Sequence, residues 1–386
     1  MKKLFFMTAV VGLALTSCSQ EDLGMPNQGD QNEITFAAPV VGKLTRASEV
    51  GNNYPTDPAY NFAVWAHYYE GDFTTAANGT LYMDEVVMGF DGTSTWAPVS
   101  AKYYWPKNGT LTFVGYSPAS VNAKASYTDG KITFTDYVVA TDKSNQVDLM
   151  FSERTYNQKK YTANASDKTT DDKVGTGSTS PDPTNPKDPY TGAHLVFKHA
   201  LSSILFNVKT DKDYIAEGTQ ITLTGLTLNK VATQGTFVQN IAGGQVSTVA
   251  PTTKNGEGDD WTVVDASKKS YAIDNANMLL TTTPYWPAVS EYNAAAPANF
   301  VNGLRKTDLM LIPQSLANVT LTVNYTIQSE TGAVIPQTST INLSSLTGDD
   351  WDWGYRYIYT ITIGLEEITI EPYVTPWTEV TGDTTI

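Results

Sequence analysis

The only cysteine of the chain, Cys18, lies where a lipid-attachment site is expected. It follows Leu15-Thr16-Ser17, so a leucine stands three positions before it and a small residue directly before it, as in the bacterial lipobox. The chemistry requires a thiol, because the lipid is added through a thioether. Lys2 and Lys3, then an apolar stretch from Leu4 to Leu15, precede this motif. That stretch is shorter than the roughly 20 residues of a membrane span, so residues 1–17 are predicted to be a lipoprotein signal peptide.

The expected mature chain therefore begins at Cys18, which would carry acyl lipid such as palmitate and anchor the protein to the outer membrane. With that thiol modified no disulfide can form, and stability must come from packing. The acidic run Ser19-Gln20-Glu21-Asp22 is typical either of a surface-export signal in Bacteroidetes or of a solvated linker. The formal net charge is −15. Such an acidic chain is poorly suited to binding nucleic acid, since it repels phosphates.

A short strand and an arginine follow the polar tether. Ile34, Phe36 and Val40 alternate on one face with a period of two, and Pro39, which lacks an N–H donor, favours a position at a sheet edge. Arg46-Ala47 comes next, among small and polar residues that a protease could reach. Arg46 is therefore either a cleavage site or a solvated linker charge. Residues 18–58 are predicted to form a tether, a removable edge strand and a cleavage linker.

The remainder of the chain consists of short strand-like runs separated by Gly, Asn, Pro and Asp, without any βαβ alternation. This pattern predicts an all-β protein of two tandem antiparallel β-sandwich domains, of the transthyretin-like type. The predicted domains are residues 59–212, with a long surface loop at 154–193, and residues 213–386. A short helix is expected near Leu343–Trp353.

Five sequence segments, taken with the lipobox, resemble the fimbrillin-like lipoproteins that build pili in Bacteroidetes. In chain order they are Leu44-Thr45-Arg46-Ala47, Lys102-Tyr-Tyr-Trp-Pro106, Leu111-Thr-Phe-Val-Gly-Tyr-Ser-Pro118, Gln146-Val-Asp-Leu-Met-Phe151 and Val196-Phe-Lys-His-Ala-Leu-Ser202. Trp377, close to the C-terminus, completes the pattern. The order and spacing of the segments, more than any one of them, carry the resemblance.

The resemblance implies a mechanism of assembly. A trypsin-like protease would cut after Arg46 at the cell surface and remove the lipid anchor together with the strand of Ile34, Phe36 and Val40. The C-terminal strand of another pilus subunit would then fill the vacated groove by strand exchange. The protein would pass from a lipid-anchored location on the outer membrane to a pilus that contributes to adhesion, with a host receptor or glycan as a further partner.

The C-terminal residues 375–386 are the candidate donor strand, but they depart from the pattern expected of a stalk subunit. Trp377, Val380 and Ile386 are their only large apolar residues, and Gly382-Asp383 weakens the strand. A tip subunit, which only receives a strand, would tolerate such a tail. The sequence leaves stalk and tip roles open.

Other functions have weaker support. His67, His194 and His199 are the only histidines and form no acid–base or zinc pattern, so no enzyme, metal or cofactor is expected. Asp349, Asp350 and Asp352 could approach a calcium ion but lack the spacing of a calcium loop. The competing hypothesis is a permanently anchored glycan-binding lipoprotein that uses an aromatic surface. Its candidate rings are those of Trp65, Tyr68, Tyr69, Trp96, Tyr103, Tyr104 and Trp105, which could equally fill sandwich cores.

Overall fold

The structure is a computed structural model of the chain. It describes residues 33–37, 39–41, 54–73, 79–92, 95–121, 124–128, 130–142, 145–158, 193, 195–239, 260–274, 277–286, 309–347 and 350–377. In this described part, no helix combines the length and the apolar character that a membrane crossing needs.

Strands make up almost all of the regular structure, which confirms the predicted all-β fold. They are β1 (Val40–Val41), β2 (Phe62–Tyr69), β3 (Thr80–Phe90), β4 (Trp96–Pro98), β5 (Thr110–Ser117), β6 (Lys124–Thr128), β7 (Lys131–Val138), β8 (Met150–Ser152), β9 (Thr155–Gln158), β10 (Val196–His199), β11 (Ser202–Thr210), β12 (Gln220–Val231), β13 (Gln234–Val238), β14 (Asp260–Val263), β15 (Lys269–Asp274), β16 (Met278–Leu279), β17 (Leu309–Leu311), β18 (Thr320–Gln328), β19 (Val334–Asn342), β20 (Tyr355–Ile363) and β21 (Ile368–Pro376). The short helix α1 (Ser344–Thr347) lies in the predicted region.

The N-terminal sheet has the order β1-β10-β8-β5-β2-β3-β4, with β9 paired to β5. Along β2, Phe62, Val64 and Ala66 face one core, and Ala63 and Trp65 face the other. The sheet is thus covered on both faces, which is why every residue of β5 is buried. The structure differs from the predicted loop 154–193 at its start. Residues 155–158 form β9, a strand whose polar sequence shows no alternation of apolar and polar residues.

A second sheet, β14-β13-β7-β6, packs against the outer face of the first. Phe134 of β7 stacks on Phe237 of β13, with ring centroids 5.7 Å apart. Phe237 also contacts Phe151 of β8, at 4.9 Å between centroids. Strands from both sides of the predicted boundary at residues 212/213 thus share one sheet.

The C-terminal sandwich is built from the sheets β17-β11-β20-β21 and β15-β12-β18-β19, with β16 paired to β12. Its interior holds apolar residues of both sheets, among them Ile204, Leu226 and Tyr359. β11 and β20 run parallel, as do β1 and β10, whereas the other described pairs are antiparallel as predicted. Because β11 pairs with β17 and β20, the predicted boundary at 212/213 would fall inside this sandwich.

Candidate functional site: the groove around residues 33–41

Residues 33–41 run between two walls of the N-terminal sheet, and their backbone is bonded to both. On one side Phe36 exchanges two hydrogen bonds with Trp96, each 2.8 Å, and the Ile34 N–H donates to the Tyr103 carbonyl at 2.8 Å. We call the space occupied by residues 33–41 the groove. Its first wall is β4 with Tyr103 and Tyr104.

The second wall of the groove is Ala193 with β10. The Ala37 N–H donates to the Ala193 carbonyl at 2.9 Å, and the Ala193 N–H donates to the Thr35 carbonyl at 2.8 Å. Beyond this point β1 pairs in parallel with β10. The edge position predicted from Pro39 holds at β1, which is the end strand of the sheet. It does not hold at Phe36, which forms isolated bridges to Trp96 on one side and to Ala193 on the other.

Large apolar side chains fill the groove from residues 33–41. Ile34 and Phe36 are 0% exposed, and Val41 is equally inaccessible at 1%. The Phe36 ring meets Phe62 and Phe113 edge to face, with centroids 5.8 and 5.1 Å apart. Full burial of such a side chain stabilises by roughly 1.5–3 kcal/mol, so this segment contributes substantially to the N-terminal core. Ile34 and Phe36 are buried as predicted, but Ala37 and Val41 are buried too, so the segment does not keep a strict alternation.

Tyr54 fixes the chain on the far side of the linker. Its ring is buried between Phe62, Trp96 and Phe197, at centroid distances of 5.8–5.9 Å. Its hydroxyl donates to the Tyr60 carbonyl at 2.6 Å and bonds the Ser117 hydroxyl. Burial raises the pKa of Tyr54 far above its usual range, so it stays neutral. Sequence reasoning missed this residue, which the composition of the surrounding linker gave no reason to place in a core.

An exposed ion pair marks the mouth of the groove. Lys102 Nζ lies 2.9 Å from Glu33 Oε2, and Glu33 also forms a β-bridge to Tyr104. Because Lys102 is well exposed, this pair adds little to stability.

Several predicted residues lie outside the described part of the chain: Cys18, Arg46, Ala47, His194, Asp349, Val380 and Ile386, together with residues 159–192. The side chain of Val40 is likewise not described, although its backbone pairs with Val196.

Trp377, a predicted donor residue, is buried in its own chain. Trp377 is 2% exposed, and its backbone N–H donates to the Gly354 carbonyl at 2.8 Å. The indole lies against the ring of His199 at the end of β10, and His199 Nδ1 is 2.8 Å from Asp148 Oδ1. The structure therefore brings together three residues that the sequence had not connected.

The candidate aromatic surface divides between core and surface. Trp65, Trp96 and Trp105 are between 3% and 7% exposed and belong to the cores. The four tyrosines, Tyr68, Tyr69, Tyr103 and Tyr104, are partly exposed. A sugar platform would have to be built from tyrosines alone.

His67, Asp350 and Asp352 make contacts within the fold. His67 is half-buried beside Tyr127, and burial, with the Arg154 charge, lowers its pKa. Asp350 Oδ1 accepts from the Leu316 N–H at 3.2 Å, while the Asp352 carbonyl accepts from Ser202. Within the described residues no cluster of three His, Cys, Asp or Glu side chains could hold a metal ion.

Comparison with known proteins identifies the family of the chain. The sequence model of the fimbrillin-like family matches residues 45–377. The chain belongs to the fimbrillin-like family. This confirms the resemblance found in the sequence. Family membership supports a role as a pilus subunit at the cell surface that assembles with other subunits, and points to a structural or adhesive protein, not an enzyme.

Matches among solved structures include proteins of Bacteroides and Porphyromonas species. A fimbrial protein of Bacteroides vulgatus is 17% identical, with 90% of this chain and 100% of that chain covered and a TM-score of 0.47. A candidate cell adhesion protein of Bacteroides uniformis is 15% identical, with 92% and 100% covered and a TM-score of 0.45. A fimbrial anchor protein of Porphyromonas gingivalis is 10% identical, with 91% and 99% covered and a TM-score of 0.27. A comparison with curated proteins finds no match.

Proposed function

We propose that this fimbrillin-like chain reaches the cell surface as a lipoprotein on Cys18, is cut after Arg46 and joins a pilus by strand exchange. The observation that carries the proposal is the placement of residues 33–41 in a two-walled groove whose apolar contents a second strand could replace. On this proposal the lipid is a transport handle that leaves with the displaced strand.

The position of Arg46 suits removal of that strand. Val41 and Tyr54 are both buried, and residues 42–53, which include Arg46, connect them. A cut after Arg46 leaves Tyr54 anchored in the core and turns residues 33–41 into a separate, non-covalently held peptide. The family match, which begins at residue 45, leaves out the strand that would be discarded.

Loss of residues 33–41 would leave the groove with unpaired backbone groups and exposed apolar side chains, which another strand could cover. The backbone groups of Trp96, Tyr103 and Ala193 lose their partners, and the Ile34 and Phe36 sites are opened to water. An added strand restores both the hydrogen bonds and the apolar contacts. No disulfide is available for the joint, so its strength must come from this pairing and burial.

The competing hypothesis of a permanently anchored glycan-binding lipoprotein has less support. Three of its seven candidate rings are core residues, and the removable strand has no role in it. Stalk and tip roles both remain compatible with the groove, since each receives a strand. A host receptor or glycan would be bound by the assembled fibre.

An arginine-specific protease tests the proposed processing. The chain has four arginines, of which Arg356 is 4% exposed, Arg154 is half-buried and Arg305 lies outside the described residues. In an Arg305→Gln background, digestion of the folded protein should release the segment before Ala47 and produce multimers. The matched Arg46→Gln variant should keep the segment and stay monomeric.

Intact-mass analysis and size-exclusion chromatography report the two results. Resistance of Arg46 while the protein is folded, or clean cleavage without acceptance of any strand by the remaining domain, contradicts the proposal. Calorimetric heat on adding glycans to uncut protein would instead favour the glycan-binding alternative.

A further inference from the structure

Strand β19 ends its sheet with an open edge, the side of the strand that faces away from β18. The two strands pair over nine residue pairs without a register shift, and no described strand lies on the other side of β19. Residues 334–338 at its start are all exposed. A long, regular edge of this kind presents unpaired N–H and C=O groups with which another chain can pair.

The open edge of β19 carries no charge, unlike the other long edges of the protein. Neither β19 nor the neighbouring β18 contains a charged residue. Charged side chains are a common means by which edge strands avoid pairing with other chains. Every other described strand that ends its sheet and has more than four residues carries such charges, which are Lys124 in β6, Lys269 and Asp274 in β15, and Glu371 in β21.

We propose that β19 pairs antiparallel with β19 of a second copy of this chain, about a two-fold axis at Thr338, so that subunits associate side by side. This contact goes beyond the proposed function and needs neither the groove nor cleavage after Arg46. Two identical antiparallel edges are self-complementary about such an axis. The net charge of the chain is −15, so two copies repel each other and approach most closely where an edge is neutral.

The backbone pairing of β19 shows which of its residues face the open edge. The Leu343 N–H donates to the Val319 carbonyl at 3.0 Å, in the register that continues along both strands. Bonded and non-bonded pairs alternate in an antiparallel ladder, so the odd-numbered residues of β19 bond to β18. The even-numbered residues, which include Thr338 and Thr340, direct their backbone groups to the open edge. Pro336 also faces outwards but has no N–H to donate.

Pairing about Thr338 covers apolar side chains that are exposed in a single copy. It places Ile335 of one copy opposite Ile341 of the other, on the face of β19 that is turned towards the sandwich interior. Ile335 is 53% exposed, and Ile341 is partly buried against the core. Contact between the two side chains across the strands therefore removes apolar surface from water.

The contact between two free chains is weak. A single pair of strands forms a small interface, and each Pro336 leaves the carbonyl of the opposing Thr340 without a donor. Two uncut chains therefore separate at the dilution of size-exclusion chromatography. In a fibre the same edge recurs on every subunit, so many weak contacts act together and hold fibres side by side.

A disulfide tests the register in uncut protein. In a Cys18→Ser background, Thr338→Cys places two thiols opposite each other at the axis, within the separation that a disulfide spans. Val334→Cys is the matched control, because Val334 lies on the same strand and is 56% exposed but is distant from its own copy across the axis. Under mild oxidation at high protein concentration we expect about tenfold more covalent dimer from Thr338→Cys. Equal yields from the two variants indicate random collision and overturn the inference.

A charge at the axis tests the contact without a thiol. Thr338→Lys sets like charges opposite each other, and we expect it to weaken dimerisation about tenfold in sedimentation equilibrium at rising concentration. Thr282→Lys adds the same charge at another exposed residue and should associate as the wild-type protein does. Equal thermal unfolding midpoints show that both variants fold. Equal association of the two variants, or a wild-type protein that stays monomeric at every concentration, overturns the inference.

Fibres separate this inference from the proposed function. After cleavage behind Arg46, Thr338→Lys chains should still form multimers, but electron microscopy should show single fibres where wild-type fibres bundle. Loss of the multimers themselves in Thr338→Lys would place β19 in the joint along the fibre and overturn the side-by-side contact. If wild-type chains form no multimers, the proposed function fails, while a dimer from uncut Thr338→Cys still supports the pairing of β19.

Discussion

The indole ring of Trp377 lies parallel to the imidazole ring of His199, with ring centroids 3.7 Å apart and an angle of 3° between their planes. His199 ends β10, the strand that pairs with β1 in the groove, and Trp377 follows β21. The two rings therefore join the acceptor wall of the N-terminal sheet to the end of the C-terminal strand. Asp148, also buried, places its Oδ1 2.8 Å from Nδ1 at the edge of the imidazole ring.

Removal of the Trp377 ring should weaken this joint strongly. Trp377→Ala deletes a large buried side chain, and we expect a loss of about 3–5 kcal/mol in the free energy of unfolding. Urea denaturation followed by circular dichroism measures it. Tyr373→Ala on the same strand is the matched control, because Tyr373 is 63% exposed, and its effect should stay within about 0.5 kcal/mol. Equal losses for the two variants would show that the stacking is not a structural joint.

The strands of this fold were predictable because their signals are local. The run Phe62–Tyr69 coincides with β2, and Tyr355–Ile363 coincides with β20. In contrast, the parallel pairing of β11 with β20 joins residues about 150 positions apart, for which no local signal exists. Strand β9 was not predicted either, because its sequence is polar and it is ordered by pairing with the distant strand β5.

The buried side chains of the groove segment could be predicted from the sequence, whereas the residues that surround them could not. Alternation identified Ile34 and Phe36 as one buried face. Pro39 suggested an edge position, because a proline lacks an N–H donor. The partners of Phe36, which are Trp96 and Ala193, lie far away in the sequence and left no local signal. The burial of Trp377 depends on His199, from a distant part of the chain, so sequence reasoning treated it as part of a free tail.

A side chain at Gly130 should displace the guanidinium of Arg154. The φ of Gly130 is +77°, and an added Cβ would collide with the guanidinium of Arg154, which donates to the Gly130 carbonyl. Gly130→Ala should lower the thermal unfolding midpoint by more than Gly92→Ala. Gly92 has a similar φ of +87° with open space around it, so its alanine variant carries only the backbone strain of about 1–2 kcal/mol. Identical midpoints for the two variants would mean that Arg154 moves aside freely.

His67 should make the N-terminal sheet sensitive to mild acid. Burial, followed by the Arg154 charge, lowers its pKa below the ordinary 6.5. The unfolded chain then binds a proton more readily than the folded chain, so the stabilising contribution is present above pH 6.5 and is lost as the pH falls towards the folded-state pKa. Urea midpoints at pH 7.5 and pH 5 should differ more for the wild-type protein than for His67→Gln. An unchanged pH dependence in that variant would assign the acid sensitivity to other groups.

Phe36→Ala should loosen the displaced strand without altering the C-terminal sandwich. The ring is fully buried between Phe62 and Phe113, so its loss should cost about 3–5 kcal/mol in the stability of the N-terminal core. Amide hydrogen exchange should show faster exchange in β5 and β10, while β12 and β18 remain protected. After cleavage behind Arg46 the weakened strand should leave sooner, so a donor peptide should enter the groove faster than in the wild-type protein. Thr35→Ala is the control, since Thr35 is only partly buried and joins the wall through its backbone carbonyl. If Phe36→Ala and Thr35→Ala accept the peptide at the same rate, release of residues 33–41 does not limit strand exchange.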